Sequence, residues 1–207
     1  MSSIWRNNRG FTLLEVLVAL ALLLILCAAL YGTYFSLMRG REVAVAGMEA
    51  RRDLRTTLDQ LRRELTAAFF NTTNKKLHFV VEDRDYFGKP ASALNFTYIA
   101  PPLSSSQPAS DQVQTIYRTE EKDKKLQLQR QAKDLYVTID PLPYPQMTDL
   151  EGFLVECSTD GTQWVRTWNT DQNINGRLPK YIKVTLMVKE GDKTVGFSTI
   201  AIPRMGS

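Results

Sequence analysis

Glu15 is the side chain of this chain whose chemistry most needs explaining. It follows Arg9-Gly10-Phe11-Thr12-Leu13-Leu14 and leads into Val16-Leu17-Val18-Ala19-Leu20-Ala21-Leu22-Leu23-Leu24-Ile25-Leu26, with no charged residue from Val16 to Tyr31. An ionised group at the centre of a membrane helix costs about 2.5–3.5 kcal/mol, and such groups are kept for function and paired. A lone carboxylate at the mouth of an apolar run therefore calls for a cation or a set of hydrogen-bond donors. Residues 12–35 supply the roughly 20 mostly apolar positions of a spanning helix. A secretory signal carries its small-residue cleavage site after a hydrophobic stretch of about 7–15 residues. Here Gly10 precedes a longer stretch, so the helix is expected to remain in the finished protein.

Other residues could do chemistry, and each has a plainer reading. His78 is the sole histidine; it falls in a strand pattern with no Ser or Cys motif attached, which argues against a nucleophile–base site and for a structural role. Glu82, Asp83 and Asp85 read as a solvated strand end beside Tyr86-Phe87-Gly88. Asp171-Gln172-Asn173-Ile174-Asn175-Gly176 opens like a calcium loop, yet the twelfth position, where a bidentate Glu is required, is Ile182, and Pro179 intervenes. Neither a metal nor a cofactor nor a catalytic residue is assigned. Cys27 and Cys157 are far apart in sequence and in setting, so no disulfide is expected. Leu24-Ile25-Leu26-Cys27 lacks the small residue that a lipoprotein signal wants before its cysteine, which leaves Cys27 as a packed membrane cysteine.

The net charge is +4, with 26 Lys and Arg scattered among 22 Asp and Glu, and a nucleic-acid partner would want a basic stripe instead. Arg51, Arg52, Arg55, Arg62 and Arg63 share a helical stretch with Asp53, Asp59 and Glu64, which reads as a solvated, ion-paired face.

The elements that must position these residues follow from periodicity. No Pro interrupts residues 39–70, and Val43, Ala46, Ala50, Leu54, Leu58, Leu61, Leu65 and Ala68 recur at spacings of three and four. One long helix is predicted, apolar all round in its first half and amphipathic after it, ending at Asn71-Thr72-Thr73-Asn74. Gly40 and Gly47 each weaken it by up to about 1 kcal/mol. Strands are predicted at 77–81 and 93–99, a hairpin at 113–119 with 125–130, a second at 152–159 with 163–168 across Asp160-Gly161, and a third at 181–189 with 194–202. The 207 residues thus hold one membrane helix and one globular unit.

Arg9-Gly10-Phe11-Thr12-Leu13-Leu14-Glu15 resembles the prepilin-type processing signal. The resemblance implies a peptidase cut between Gly10 and Phe11, methylation of the new Phe11 amine, and an assembly role for Glu15 opposite the ammonium of a neighbouring subunit. Glycine suits such a cut, since the backbone can lie extended in a protease groove there. The order of helix and sheet is similar to pilins, an α+β fold in which a long N-terminal helix, membrane-spanning in its lower half, packs on an antiparallel β-sheet. Leu150-Glu151-Gly152-Phe153, Asp160-Gly161-Thr162-Gln163-Trp164, Trp168, and Leu178-Pro179-Lys180-Tyr181-Ile182-Lys183-Val184-Thr185-Leu186 look most like the J-type minor pseudopilins of type II secretion. The helical stretches Arg51-Arg52-Asp53-Leu54 and Leu61-Arg62-Arg63-Glu64-Leu65 fit as well. The retained Glu15 speaks against the K-type, which characteristically lacks it.

What this implies is a leader at 1–10, a membrane helix at 11–35, its amphipathic continuation at 36–70 and a periplasmic β-rich domain at 71–207. The function implied is that of a structural subunit at the tip of the pseudopilus in the bacterial inner membrane. Its partners would be the I-type and K-type minor pseudopilins, with the H-type as a further candidate, together with the fibre and the prepilin peptidase. Arg6 and Arg9 before the span and Arg39 and Arg41 after it barely favour either orientation, so the orientation too comes from the resemblance. Val43, Ala46, Gly47 and Ala50 form a small-residue stretch that would let a partner helix approach closely. A type IV minor pilin shares the N-terminal signal, and a tethered periplasmic enzyme or binding module would share the helix but would not require Gly10, Phe11 and Glu15 in this arrangement.

Overall fold

The computed structural model describes residues 12–100, 110–123, 125–171 and 176–204, with the backbone alone at 43 and 46. The chain divides into two units, Met1–Arg51 and Arg52–Ser207.

Among the described residues the first unit is helical from Leu13 onward. Helix α1 (Leu13–Thr66) begins here, and its apolar N-terminal stretch is long enough to cross a membrane and has no side chain buried within the chain. A helix with Leu, Val, Ile and Ala on every side has no solvated face, which suits lipid and not water. Thr33 donates its hydroxyl to the Leu30 carbonyl at 2.8 Å, so that this polar group is satisfied inside the helix itself.

In the second unit, residues 52–66 of α1 pack on a sheet. Leu54, Leu61 and Leu65 are buried and Leu58 is packed against the same core, as their spacing predicts. The helix is four residues shorter than its pattern suggested. It stops at Thr66 because the next backbone groups go to the sheet: Phe69 donates to the Thr97 carbonyl at 2.9 Å and Ile99 donates to Ala67 at 3.1 Å.

The strands are β1 (Phe79–Glu82), β2 (Asp85–Tyr86), β3 (Lys89–Pro90), β4 (Ala93–Ile99), β5 (Gln112–Lys122), β6 (Lys125–Asp134), β7 (Tyr144–Ser158), β8 (Trp168–Asn169), β9 (Tyr181–Glu190) and β10 (Lys193–Ala201). Among the described residues, eight of them form one antiparallel sheet in the order β10-β9-β7-β6-β5-β4-β1-β8, and β2 pairs with β3 in a separate ribbon. Period-two burial gives the sheet its inner face. Leu94 and Phe96, Val113 and Tyr117, Leu126 and Leu128 alternate with more exposed neighbours and join the helix leucines in one core with Phe153, Val155, Ile182, Val184 and Leu186.

β7 is the pivot of the sheet. Its first half pairs with β6 and its second half with β9, and Leu150 faces both Leu126 and Val188. Glu151 is the extra residue of a bulge between Leu150 and Gly152, and Asp149 beside it takes φ 60. The pairing of 163–168 with 152–159 is not found. β9 lies along one edge of β7; on the other edge Ser92 donates its amide to the Phe153 carbonyl at 2.9 Å, and only Cys157 and Val165 exchange bonds, at 2.8 and 2.9 Å. Trp168 and Asn169 pair instead with Val81 and Val80 of β1. The strand at 144–150 lay outside the expectation, masked by Pro141, Pro143 and Pro145.

Candidate functional site

Gly10 and Phe11 lie outside the described residues, and the site begins at Thr12. Its amide donates to Glu15 Oε2 at 2.9 Å, its hydroxyl donates to the same oxygen at 3.0 Å, and the Glu15 amide donates back to Thr12 Oγ1 at 3.3 Å. This is a capping box, Thr at the N-cap and Glu three residues on, in which two otherwise orphaned donors of the first turn are satisfied reciprocally. Thr12-Leu13-Leu14-Glu15 carries that signature in the sequence. The reading of Glu15 as a group waiting for a neighbour passed over it. A carboxylate at a helix N-terminus is also favoured by the helix dipole, so Glu15 has a local reason to be where it is besides any bond to another subunit.

Of the small-residue stretch, the side chains of Val43 and Ala46 lie outside the described residues. Ala50 is exposed, and a Cβ built on Gly47 would meet nothing within 4 Å. Beside them Met48 and Val45 are exposed as well.

The sequence reading missed a deeply buried cluster of charged and phenolic side chains. Glu64 is not part of a solvated face: Oε1 accepts from Arg130 Nη2 at 2.7 Å and Oε2 accepts from the Tyr117 hydroxyl at 2.8 Å. Arg130 also donates through Nε to Tyr117 at 3.1 Å, through Nη2 to the Tyr98 hydroxyl at 3.1 Å and through Nη1 to the Tyr144 hydroxyl at 2.7 Å. Glu64 and Arg130 are both more than nine-tenths buried, so the helix is tied to β4, β5, β6 and β7 by charge-assisted bonds. Burial works against the Arg130 charge, but the Glu64 carboxylate and the Tyr117 and Tyr98 hydroxyls outweigh it and hold the guanidinium above its ordinary range. Burial first, and then the Glu64 carboxylate, push the Tyr98 phenol up to about 12 and Tyr117 well above its ordinary value. A hint was available in period: Arg130 falls on the inward register of β6 with Leu126 and Leu128. The rest of the arginine face behaves as expected, with Arg62 and Asp59 3.7 Å apart and both half-exposed.

The remaining candidates are structural. The His78 ring lies 3.0 Å from Asn95 Oδ1 and 3.1 Å from Gln114 Nε2. Glu82 pairs with Arg84, and Asp85 accepts the Gly88 amide at 2.8 Å in the ribbon turn. Most of the calcium-like loop, residues 172–175, lies outside the described residues; Asp171 donates its amide to the Asn169 side chain. Among the described residues no three His, Cys, Asp or Glu side chains converge as metal ligands. Cys27 and Cys157 are free thiols, and burial raises the Cys157 thiol far above its ordinary value.

The motif at Asp160 proves to be a self-bonded turn. The Thr162 hydroxyl, the amides of Gln163 and Thr162 and the Ser158 hydroxyl all donate to its carboxylate, in that order of effect holding it below the usual carboxylate range. Gly161 takes φ 81 against the Tyr181 ring, a conformation that suits glycine. Trp168 donates its indole N–H to the Arg177 carbonyl at 3.0 Å.

Comparison with known proteins gives two adjoining matches. The prokaryotic N-terminal methylation motif matches residues 5–31. The family described as type II secretion system protein J matches residues 32–198. Curated proteins give no match. A capped apolar helix that carries the methylation motif, followed by a sheet domain matched over most of its length, leads to one conclusion: the chain belongs to the type II secretion system protein J family and is a minor pseudopilin.

Proposed function

We propose that this minor pseudopilin works at the tip of the pseudopilus, as a structural subunit that carries out no reaction. Gly10–Phe11 is the peptidase cut and Phe11 the methylated residue; the span stays in the inner membrane and the β domain faces the periplasm. The observation that carries the reading is the family match over residues 32–198 joined to the methylation motif at 5–31. Membership implies contact with other pseudopilins and processing by the prepilin peptidase. The finer proposal is that residues Val43, Ala46, Gly47 and Ala50 meet a helix of the I-type partner, and that the K-type joins them. Support comes from composition: a helix face of small residues lets two backbones approach closely, and Gly47 has open space around it.

Two measurements test the proposal. Mass analysis of the protein from cells containing the peptidase should show a chain that begins at methylated Phe11, and Gly10→Val should leave the precursor uncut. Ala46→Arg and Ala50→Glu should weaken binding to the purified I-type partner while leaving the thermal midpoint of the protein unchanged. Normal affinity in both variants would move the contact off the helix.

A further inference from the structure

In the second unit the last turn of α1 meets the chain that leaves β10. The Arg204 amide donates to the Thr66 carbonyl at 3.1 Å, and Arg62, Arg63, Thr66, Ala67 and Arg204 line a cavity of about 390 Å3. Three arginines thus line one small recess. The helix dipole favours cations in the last turn, which accounts for Arg62 and Arg63; it does not account for Arg204, brought in from the other end of the domain. Arg62 has Asp59 nearby, a half-exposed pair at 3.7 Å that neutralises little. Among the described residues Arg63 and Arg204 have no side-chain partner. Ile202, two residues before Arg204, is exposed.

Arginines with so little neutralisation around one recess have the character of a protein interface, where Arg is enriched and carries much of the binding energy. We propose that this recess receives an acidic segment of a neighbouring pseudopilin, with Asp or Glu carboxylates on the guanidinium forks. The planar fork of Arg matches a carboxylate in two parallel bonds, which fixes orientation as well as adding attraction. A phosphate-bearing lipid would satisfy the charges as well, but a subunit built into a fibre has neighbouring chains against it, and lipid is kept as an outcome of the test. The inference rests on membership of the pseudopilin family and is independent of the helix contact at residues 43–50.

The test places a photo-crosslinking residue at Ile202 of the full chain in cells that assemble the secretion machine, with a second one at Gly47 in a separate strain. The expected adduct at Ile202 is with another pseudopilin, on a peptide that contains Asp or Glu. Arg62→Glu with Arg204→Glu should cut its yield roughly tenfold or more, as reversal of paired interface charges does, and Lys at the mapped acidic residue of the partner should restore it. Arg62→Gln with Arg204→Gln, which removes charge without adding any, should lower the yield as well and serves if the double Glu variant is unstable. An adduct only with lipid, no adduct, or a pseudopilin adduct indifferent to both double variants would overturn the proposal. The Gly47 adduct separates this outcome from loss of the helix contact, since either surface can fail while the other persists.

Discussion

Two glutamates were read at first by sequence setting alone, and both turn out to be defined by their hydrogen bonds. Glu15 holds the amide and hydroxyl of Thr12, so its substitutions separate two roles. Gln at the same place can still cap the helix, because the capping box accepts Gln, but it carries no charge for a neighbour's ammonium. If the charge is what assembly uses, Glu15→Gln and Glu15→Val should impair incorporation into the fibre alike; normal secretion by Glu15→Gln would reduce Glu15 to a cap. Glu64 is the opposite case, a charge whose partner lies in its own sheet domain. Glu64→Gln should destabilise the protein by about 3–5 kcal/mol, since Arg130 would be left buried without its counter-charge. Tyr117→Phe should cost less, about 1–3 kcal/mol for the lost donor to Glu64. Chemical unfolding of the two single variants and the double variant checks this, and the double should fall short of the sum because the groups share one network.

Among the elements, β7 explains why Leu150-Glu151-Gly152-Phe153 has its form. Leu150 pairs on both sides, Glu151 is the bulge, and Gly152 lies under Pro90 of β3. A Cβ on Gly152 would stand 2.9 Å from the Pro90 ring and 3.2 Å from Met187 Sδ. Gly152→Ala should therefore destabilise the domain by about 1–3 kcal/mol through overpacking, and Gly152→Val by more. Gly196, on the exposed side of β10, has 3.3 Å to a Thr185 methyl and serves as the milder control. Equal thermal midpoints for wild type and Gly152→Ala would show that β3 can move aside at no cost. The helix makes the complementary point. Its pattern continues to Ala68, but the Ala67 and Phe69 backbone groups bond β4 and the helix stops at Thr66.

For the whole molecule, the buried phenols make stability depend on pH at the alkaline end. Tyr98 and Tyr117 hold their protons in the folded state at pH values where the unfolded chain releases them, about 10 for a free tyrosine. Their contribution is complete below that value and is lost as pH rises towards the folded pKa, about 12 for Tyr98. Thermal midpoints should fall between pH 10 and 12, and Tyr117→Phe should flatten the fall. A steeper fall in that variant would place the titrating group elsewhere. Metal is expected to have no part in stability. The part from about Val43 onward should fold by itself, and its midpoint should be the same in calcium and in chelator; a large shift with calcium would reinstate Asp171-Gly176 as a binding loop.

What the sequence determined by itself was local or periodic. The span, the leucine stripe of the helix, the strands at 93–99 and 181–189 and the motif around Glu15 are written in neighbouring residues, because burial periods of 3.6 and 2 and the composition of a membrane segment need no knowledge of the fold. The outcome at 163–168 was beyond it. Asp160-Gly161 does make a turn, but the edge of β7 facing the returning chain is already met at Phe153 and Val155 by Ala91 and Ser92, and Trp168 goes on to β1 instead. The Glu64–Arg130 pair was hidden for the same reason. Its two members are 66 residues apart, and a carboxylate in an arginine-rich helix looks solvated until the sheet closes over it. Tertiary structure decided those points because competition for a strand edge, and the desolvation of a charge, are settled only by which distant segments arrive.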